Sequence, residues 1–205
     1  VKNTLLTCVA AIFVAGPVAA GADYTGAGFD IPDLVASGAS SVISVSGDTL
    51  SITSLEVTLV GLTHTWIGDV VATISAPSGT VFPLFTRVGL STTSGGAGDS
   101  TNLGGSYIFR DSAVSSLWAS AQALGADAAV PSGSYRTSAA LTGAATSLNG
   151  AFAGQNSNGN WTLTISDRAS ADIGRLGSWS LTIVPTPGSL AVVGMAAVLV
   201  GRRRR

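Results

Sequence analysis

Apolar and polar residues alternate with period two in several short stretches of this chain. The clearest sets Leu55, Val57 and Leu59 against Ser54, Glu56 and Thr58, which predicts a half-buried β-strand with one inward face. The same alternation places Trp161, Leu163 and Ile165 on one face, and Trp179, Leu181 and Ile183 repeat it. Both runs are expected to face the core. Further strand candidates are Val42–Val45, Val70–Ser75, Val81–Phe85 and Tyr107–Phe109, with the two tryptophan strands extending over Trp161–Ser166 and Trp179–Val184. All are rich in β-branched and aromatic residues and are separated by Gly, Pro, Ser and Asn. Ala76-Pro77-Ser78-Gly79 and Asn158-Gly159 carry turn chemistry and predict hairpins. Ser112–Ala129 has the only helix-like composition, interrupted by Ser and Gly, and reads as a short helix or loop. Many short strands without βαβ alternation point to an all-β sandwich.

The two ends break this pattern. Lys2, the apolar run Leu5 to Val14 and the small residues Ala20-Gly21-Ala22 together read as a secretory signal peptide over residues 1–22. At the other end, Val184-Pro185-Thr186-Pro187 leads into apolar Gly188 to Gly201 and then Arg202 to Arg205. Fourteen helical residues span only about 21 Å of a hydrocarbon core near 30 Å, so the arginines would have to snorkel to the interface. The positive-inside rule then keeps the arginines cytoplasmic and the domain outside. The expected organisation is a signal peptide over 1–22, one domain over 23–184 and a membrane-directed tail over 185–205, with a hydrophobic helix at each end.

Composition narrows the function classes. Between Asp23 and Val184 five arginines oppose eleven acids, and no lysine follows Lys2. An acidic domain without a basic stripe is a poor nucleic-acid binder, because that affinity rests on cations facing phosphates. Cys8, the only cysteine, falls in the signal segment, so the domain is expected to lack disulfides. A central region of this length buries about 68–70% of its unfolded surface, enough for one core.

The order of motifs then resembles one family. His64-Thr65-Trp66-Ile67-Gly68-Asp69-Val70 is followed by Ile74-Ser75-Ala76-Pro77-Ser78-Gly79-Thr80 and by Phe109-Arg110-Asp111-Ser112-Ala113. Gly159-Asn160-Trp161-Thr162-Leu163, Ser166-Asp167 and Gly174-Arg175-Leu176-Gly177-Ser178-Trp179-Ser180-Leu181 complete the series. Together they resemble the P domain (P/Homo B domain) of subtilisin-like proprotein convertases. The resemblance implies a jelly-roll-like antiparallel β-sandwich of about eight strands that stabilises a catalytic domain and cleaves nothing itself. No subtilisin-type catalytic domain is expected in this chain, so a protease label would belong to a separate partner. The tail resembles the PEP-CTERM sorting signal, with Thr186 in place of the usual Glu, and implies an exosortase-like processing partner.

Candidate chemistry is sparse. His64 is the only histidine, and no serine sits in a Gly-x-Ser-x-Gly elbow, so a Ser-His-Asp hydrolase lacks its parts. His64 is expected to hydrogen-bond in the turn before Gly68-Asp69. One His and no mature Cys fall short of the usual zinc ligands. Asp69, Asp111, Asp167 and Asp172 fall in predicted loops at strand ends. Carboxylates brought together repel one another unless a cation compensates, and Ca²⁺ takes six to eight such oxygens. Some P-domain-like modules bind Ca²⁺, so one reading is a calcium site drawing on a subset of these four. The other is that they make loop hydrogen bonds and pair with Arg110, Arg168 or Arg175. Asn160-Trp161-Thr162 matches a glycosylation sequon but leads straight into a core strand and is read as coincidence.

The function expected from these readings is an exported, non-catalytic cell-surface or matrix module, transiently anchored by its tail and binding exopolysaccharide through its loops. The alternative is an accessory domain for a separately encoded subtilisin-like protease.

Overall fold

A computed structural model describes residues 21–47, 51–91 and 96–186. Of the predicted signal segment only Gly21 and Ala22, and of the predicted tail only Pro185 and Thr186, lie within these residues; Ala22 opens the first strand and Pro185 closes the last. No helix among the described residues is long and apolar enough to cross a membrane.

Eleven strands form two sheets among the described residues. The larger sheet contains β1 (Ala22–Ile31), β3 (Ile52–His64), β6 (Asn102–Phe109), β7 (Ser115–Ser116), β8 (Ala129–Val130), β9 (Gly133–Arg136) and β11 (Gly174–Pro185). Its order is β1-β11-β3-β6-β9-β7, with β8 beside β6. The smaller sheet takes β2 (Ala39–Val45), β4 (Val70–Ser75), β5 (Val81–Thr86) and β10 (Gly159–Asp167) in the order β2-β10-β4-β5. Two short helices, α1 (Leu117–Gln122) and α2 (Leu148–Phe152), and a 3-10 turn at Ile67–Asp69 complete it. The all-β sandwich is therefore as expected, with two refinements. There are eleven strands rather than about eight, and β7, β8 and β9 join the larger sheet through parallel pairs, so that sheet is mixed rather than wholly antiparallel.

The core lies between the inner faces. Trp161 and Trp179 are fully buried, as their alternation predicts. The Trp179 indole on β11 donates to Ser41 Oγ on β2 at 3.0 Å, a bond between the two sheets. Phe152 of α2 meets Trp161 edge-on at 5.2 Å, and Phe85 stacks on Phe109 across the sandwich at 5.7 Å. Such aromatic pairs add about 0.5–1.5 kcal/mol beyond the area they bury.

A crease crosses three neighbouring strands. Leu55, Val57 and Leu59 of β3 point inward, but the next inward residues are Leu62 and His64. On β11 the inward series Ile183, Leu181, Trp179 likewise continues at Leu176. Relative to β6, the three steps from Leu59 to Leu62 on β3 oppose the two from Tyr107 to Gly105, which is a β-bulge. Glycines line it. Gly61 has φ +61, and a Cβ on Gly28 would stand 2.1 Å from the Gly177 carbonyl oxygen. The extra residue reverses the inside-outside phase, and this turns His64 into the protein instead of toward solvent.

Candidate functional site

His64 ends β3 and Asp167 ends β10, so the pair joins the two sheets at one end of the sandwich. His64 Nε2 lies 3.2 Å from Asp167 Oδ2, and both side chains are fully buried. The Trp66 N–H donates to His64 Nδ1 at 3.1 Å. With Nδ1 accepting, the ring donates its Nε2 hydrogen to Asp167. Asp167 Oδ1 in turn accepts from the Ala169 N–H at 3.0 Å. A triad histidine needs a lone pair aimed at a serine hydroxyl. Here both ring nitrogens are occupied, one by backbone and one by a carboxylate, and His64 holds the turn as its sequence setting predicts.

Asp69 follows in the 3-10 turn and is buried, at 3% exposure. Its Oδ1 has no hydrogen-bond partner and stands 3.6 Å from Arg87 Nη2. Burial, then the nearby Asp167 carboxylate, push its pKa up to about 6, and the Arg87 charge only partly offsets them. Asp172 accepts from the Thr65 hydroxyl at 2.7 Å, and that hydroxyl oxygen accepts from the Ile173 N–H.

Three of the four aspartates singled out from the sequence thus gather at the His64 end, and Asp111 does not. Leu103 pairs with His64 and Phe109 with Val57, so the chain following β6 lies toward the opposite end of the sheet. There Asp111 accepts from Ser147 Oγ at 2.6 Å and from the Leu148 and Asn149 N–H groups, holding the start of α2.

Among the described residues no group of three or more His, Cys, Asp or Glu side chains is arranged to hold a metal ion. The carboxylates have separate protein partners instead: Asp167 has His64, Asp172 has Thr65, and Asp111 has α2. The arginine anticipated for these aspartates also differs. Asp69 faces Arg87, while Arg110 pairs with Glu56 at 3.4 Å. Arg87 carried no local signal in the sequence, because its role depends on a loop meeting the 3-10 turn. Its Nε donates to the Gly68 carbonyl and its Nη2 to the Gly96 carbonyl, both at 3.0 Å. Beside it opens a groove of about 490 Å³ lined by Leu34, Ala36, Val71, Thr86, Arg87, Asp167 and Arg168.

Residues 133–183 match the family described as Proprotein convertase P-domain. No curated protein matches the chain. Among solved structures, the serine protease of Aeromonas sobria in complex with its chaperone is 18% identical, with a TM-score of 0.44 over 83% of this chain and 28% of that one. The same bacterium's serine protease in a second structure is also 18% identical, with a TM-score of 0.43 and the same coverage. This chain therefore spans well under a third of the solved chains it matches. Residues 133–183, which run from β9 to β11 of the all-β sandwich and include both core tryptophans, are thus similar to the Proprotein convertase P-domain family.

Proposed function

We propose that this chain is a non-catalytic accessory module for a subtilisin-like serine protease, exported to the cell envelope. The family match over residues 133–183 supports the association with proteases. The non-catalytic part rests on one observation: the only histidine has its two ring nitrogens bonded to Trp66 N–H and to Asp167, which leaves no base for a nucleophile. Such a module acts by presenting a rigid surface to its partner, with its loops set by the tie between the sheets. The apolar stretches near each terminus and the closing arginines support export and transient anchoring, with an exosortase-like enzyme as the processing partner. The same tail favours a second reading, a surface or matrix module that binds exopolysaccharide.

Affinity capture from envelope extracts with the tagged full chain separates the two. Recovery of a subtilisin-like protease, identified by mass spectrometry, supports the accessory role, whereas co-purifying polysaccharide without protease supports the matrix role. Hydrolysis of a peptide library by the pure chain, abolished by His64→Ala, would overturn both.

A further inference from the structure

We propose that the outer face of the smaller sheet is a platform for an uncharged polysaccharide, which lies flat across β10 and β4 instead of being gripped by loops. It rests on the matrix role above, and adds to that role a surface and a class of polymer.

The platform follows from strand register. Every second side chain of a strand points away from the core, so the residues between buried Ile43, Ile74, Trp161 and Leu163 face outward. Pairing sets them in rows across the sheet. One row runs Ser40, Thr164, Thr73 and Pro83, and the next runs Val42, Thr162, Ser75 and Val81. None of these side chains is charged. The only acidic or basic residue in the four strands is Asp167, whose side chain is fully buried. The larger sheet is different, because Asp23, Asp30, Glu56 and Arg175 stand on its strands outside the core. Val42 and Val81 are exposed on the two edge strands of the smaller sheet, where a sheet left bare to water usually carries charge.

The chemistry of the face selects its occupant. Ser40 Oγ and Thr164 Oγ1 stand 2.8 Å apart, and Ser44 donates to Asn160 Oδ1 at 2.7 Å. The hydroxyls of Thr73, Ser75 and Thr162 have no hydrogen-bond partner among the described residues. Each offers one donor and two lone pairs, and the threonine methyls and the valines lie beside them to cover C–H groups. A ligand built of hydroxyls on C–H rings meets both needs. Protein-binding patches have the opposite make-up, enriched in aromatic residues, Met and Arg and depleted in Ser. A second copy also fits poorly. Four strands about 4.8 Å apart and about six residues long cover roughly 400 Å². A stable pair of protein chains buries about 800 Å² on each partner. A polyanion is disfavoured because eleven acids oppose five arginines between Asp23 and Val184. An uncharged polymer remains, and its repeats can make the same weak contacts many times over.

Affinity electrophoresis of the full chain tests the platform, in gels containing hydroxyethylcellulose, an uncharged β-glucan, or alginate, a polyanion. The parent is expected to be slowed by the first and not by the second. Thr73→Glu, which puts a charge beneath the polymer, should weaken retention at least about tenfold. Thr73→Val with Thr162→Val keeps the shape but removes two hydroxyls, and should weaken it about three- to tenfold. Thr58→Glu, on the outer face of the larger sheet, should match the parent. Equal retention of the parent and Thr73→Glu, or retention by alginate alone, would overturn the platform and leave the matrix role standing. A parent slowed by neither polymer would also overturn the platform, and the matrix role fails with it only if envelope capture recovers no polysaccharide. A parent that elutes as a dimer while Thr73→Glu elutes as a monomer would give the face to a second copy and overturn the proposal. Tryptophan fluorescence checks the fold of each variant, and if Thr73→Glu unfolds the double valine variant decides.

Discussion

Replacing His64 with Ala should cost this domain a large share of its stability. The substitution removes the Nε2–H bond to Asp167, and a hydrogen bond to an ionised partner is worth about 1.5–3 kcal/mol. It also strips the half-buried Trp66 N–H of its acceptor, and a buried donor left without a partner costs about 1–3 kcal/mol. Because the Asp167 side chain is fully buried, water cannot easily replace the imidazole. The sum, about 2.5–6 kcal/mol, brackets the usual cost of about 3–5 kcal/mol for removing one member of a buried pair. Against a typical stability of about 5–15 kcal/mol the variant unfolds at 25 °C only if the parent lies near the bottom of that range. Urea unfolding followed by tryptophan fluorescence measures the loss, and the melting point should fall by roughly 10 °C. The double variant His64→Ala/Asp167→Ala provides the control, because removing the carboxylate removes the charge that H64A strands. Its loss should be smaller than the sum of the two single losses by about 1–3 kcal/mol. Additive single losses, or an H64A protein within about 0.5 kcal/mol of the parent, would refute the idea that this pair ties the sheets together.

Asp111→Ala should loosen the opposite end of the sandwich by about 1–2 kcal/mol, because the carboxylate serves the first N–H groups of α2 as a capping side chain would. Amide exchange at Leu148 and Asn149 should accelerate in that variant while exchange at Trp66 does not change. The melting curve is expected to be the same in EDTA and in millimolar Ca²⁺. An ion at 100 times its dissociation constant would add about 2.7 kcal/mol, so a rise of several degrees with Ca²⁺ would show that the carboxylates rearrange into a cage.

The strands at Leu55–Leu59, Trp161–Ile165 and Trp179–Ile183 were legible because each buries one face and therefore alternates. β1 was not, since Ala22–Ile31 carries glycine where a large inward side chain would otherwise reveal the period. At Gly26 an added Cβ would stand 2.1 Å from the Trp179 indole nitrogen, so the bulk that fills this place belongs to β11. β7, β8 and β9 were also hidden, because strands of two to four residues with parallel partners show no period of their own. In the site, the turn role of His64 was readable from its local motif. Its partnership with Asp167, 103 residues away, was not. Asp69 looked like an ordinary loop aspartate because Gly68-Asp69 is a common turn pair, and its burial beside Arg87 arises only from tertiary packing. Asp111 and Asp172 fall in loops as their positions suggest, yet loop placement alone could not say that they face different ends of the sandwich.

The glycine-lined crease makes β3 intolerant of length changes in a way that its composition hides. Deleting Gly61 would remove the extra residue and restore plain alternation, so Leu62 and His64 would still face inward, but the remainder of the strand would pair one residue out of step with β11, which keeps an extra residue of its own. A single missing residue would then draw His64, Trp66 and the turn bearing Asp69 together one residue along the strand, away from their partners. Substitutions that preserve residue count on either side of the crease act locally, but an insertion or deletion there rewrites the whole far end of the domain.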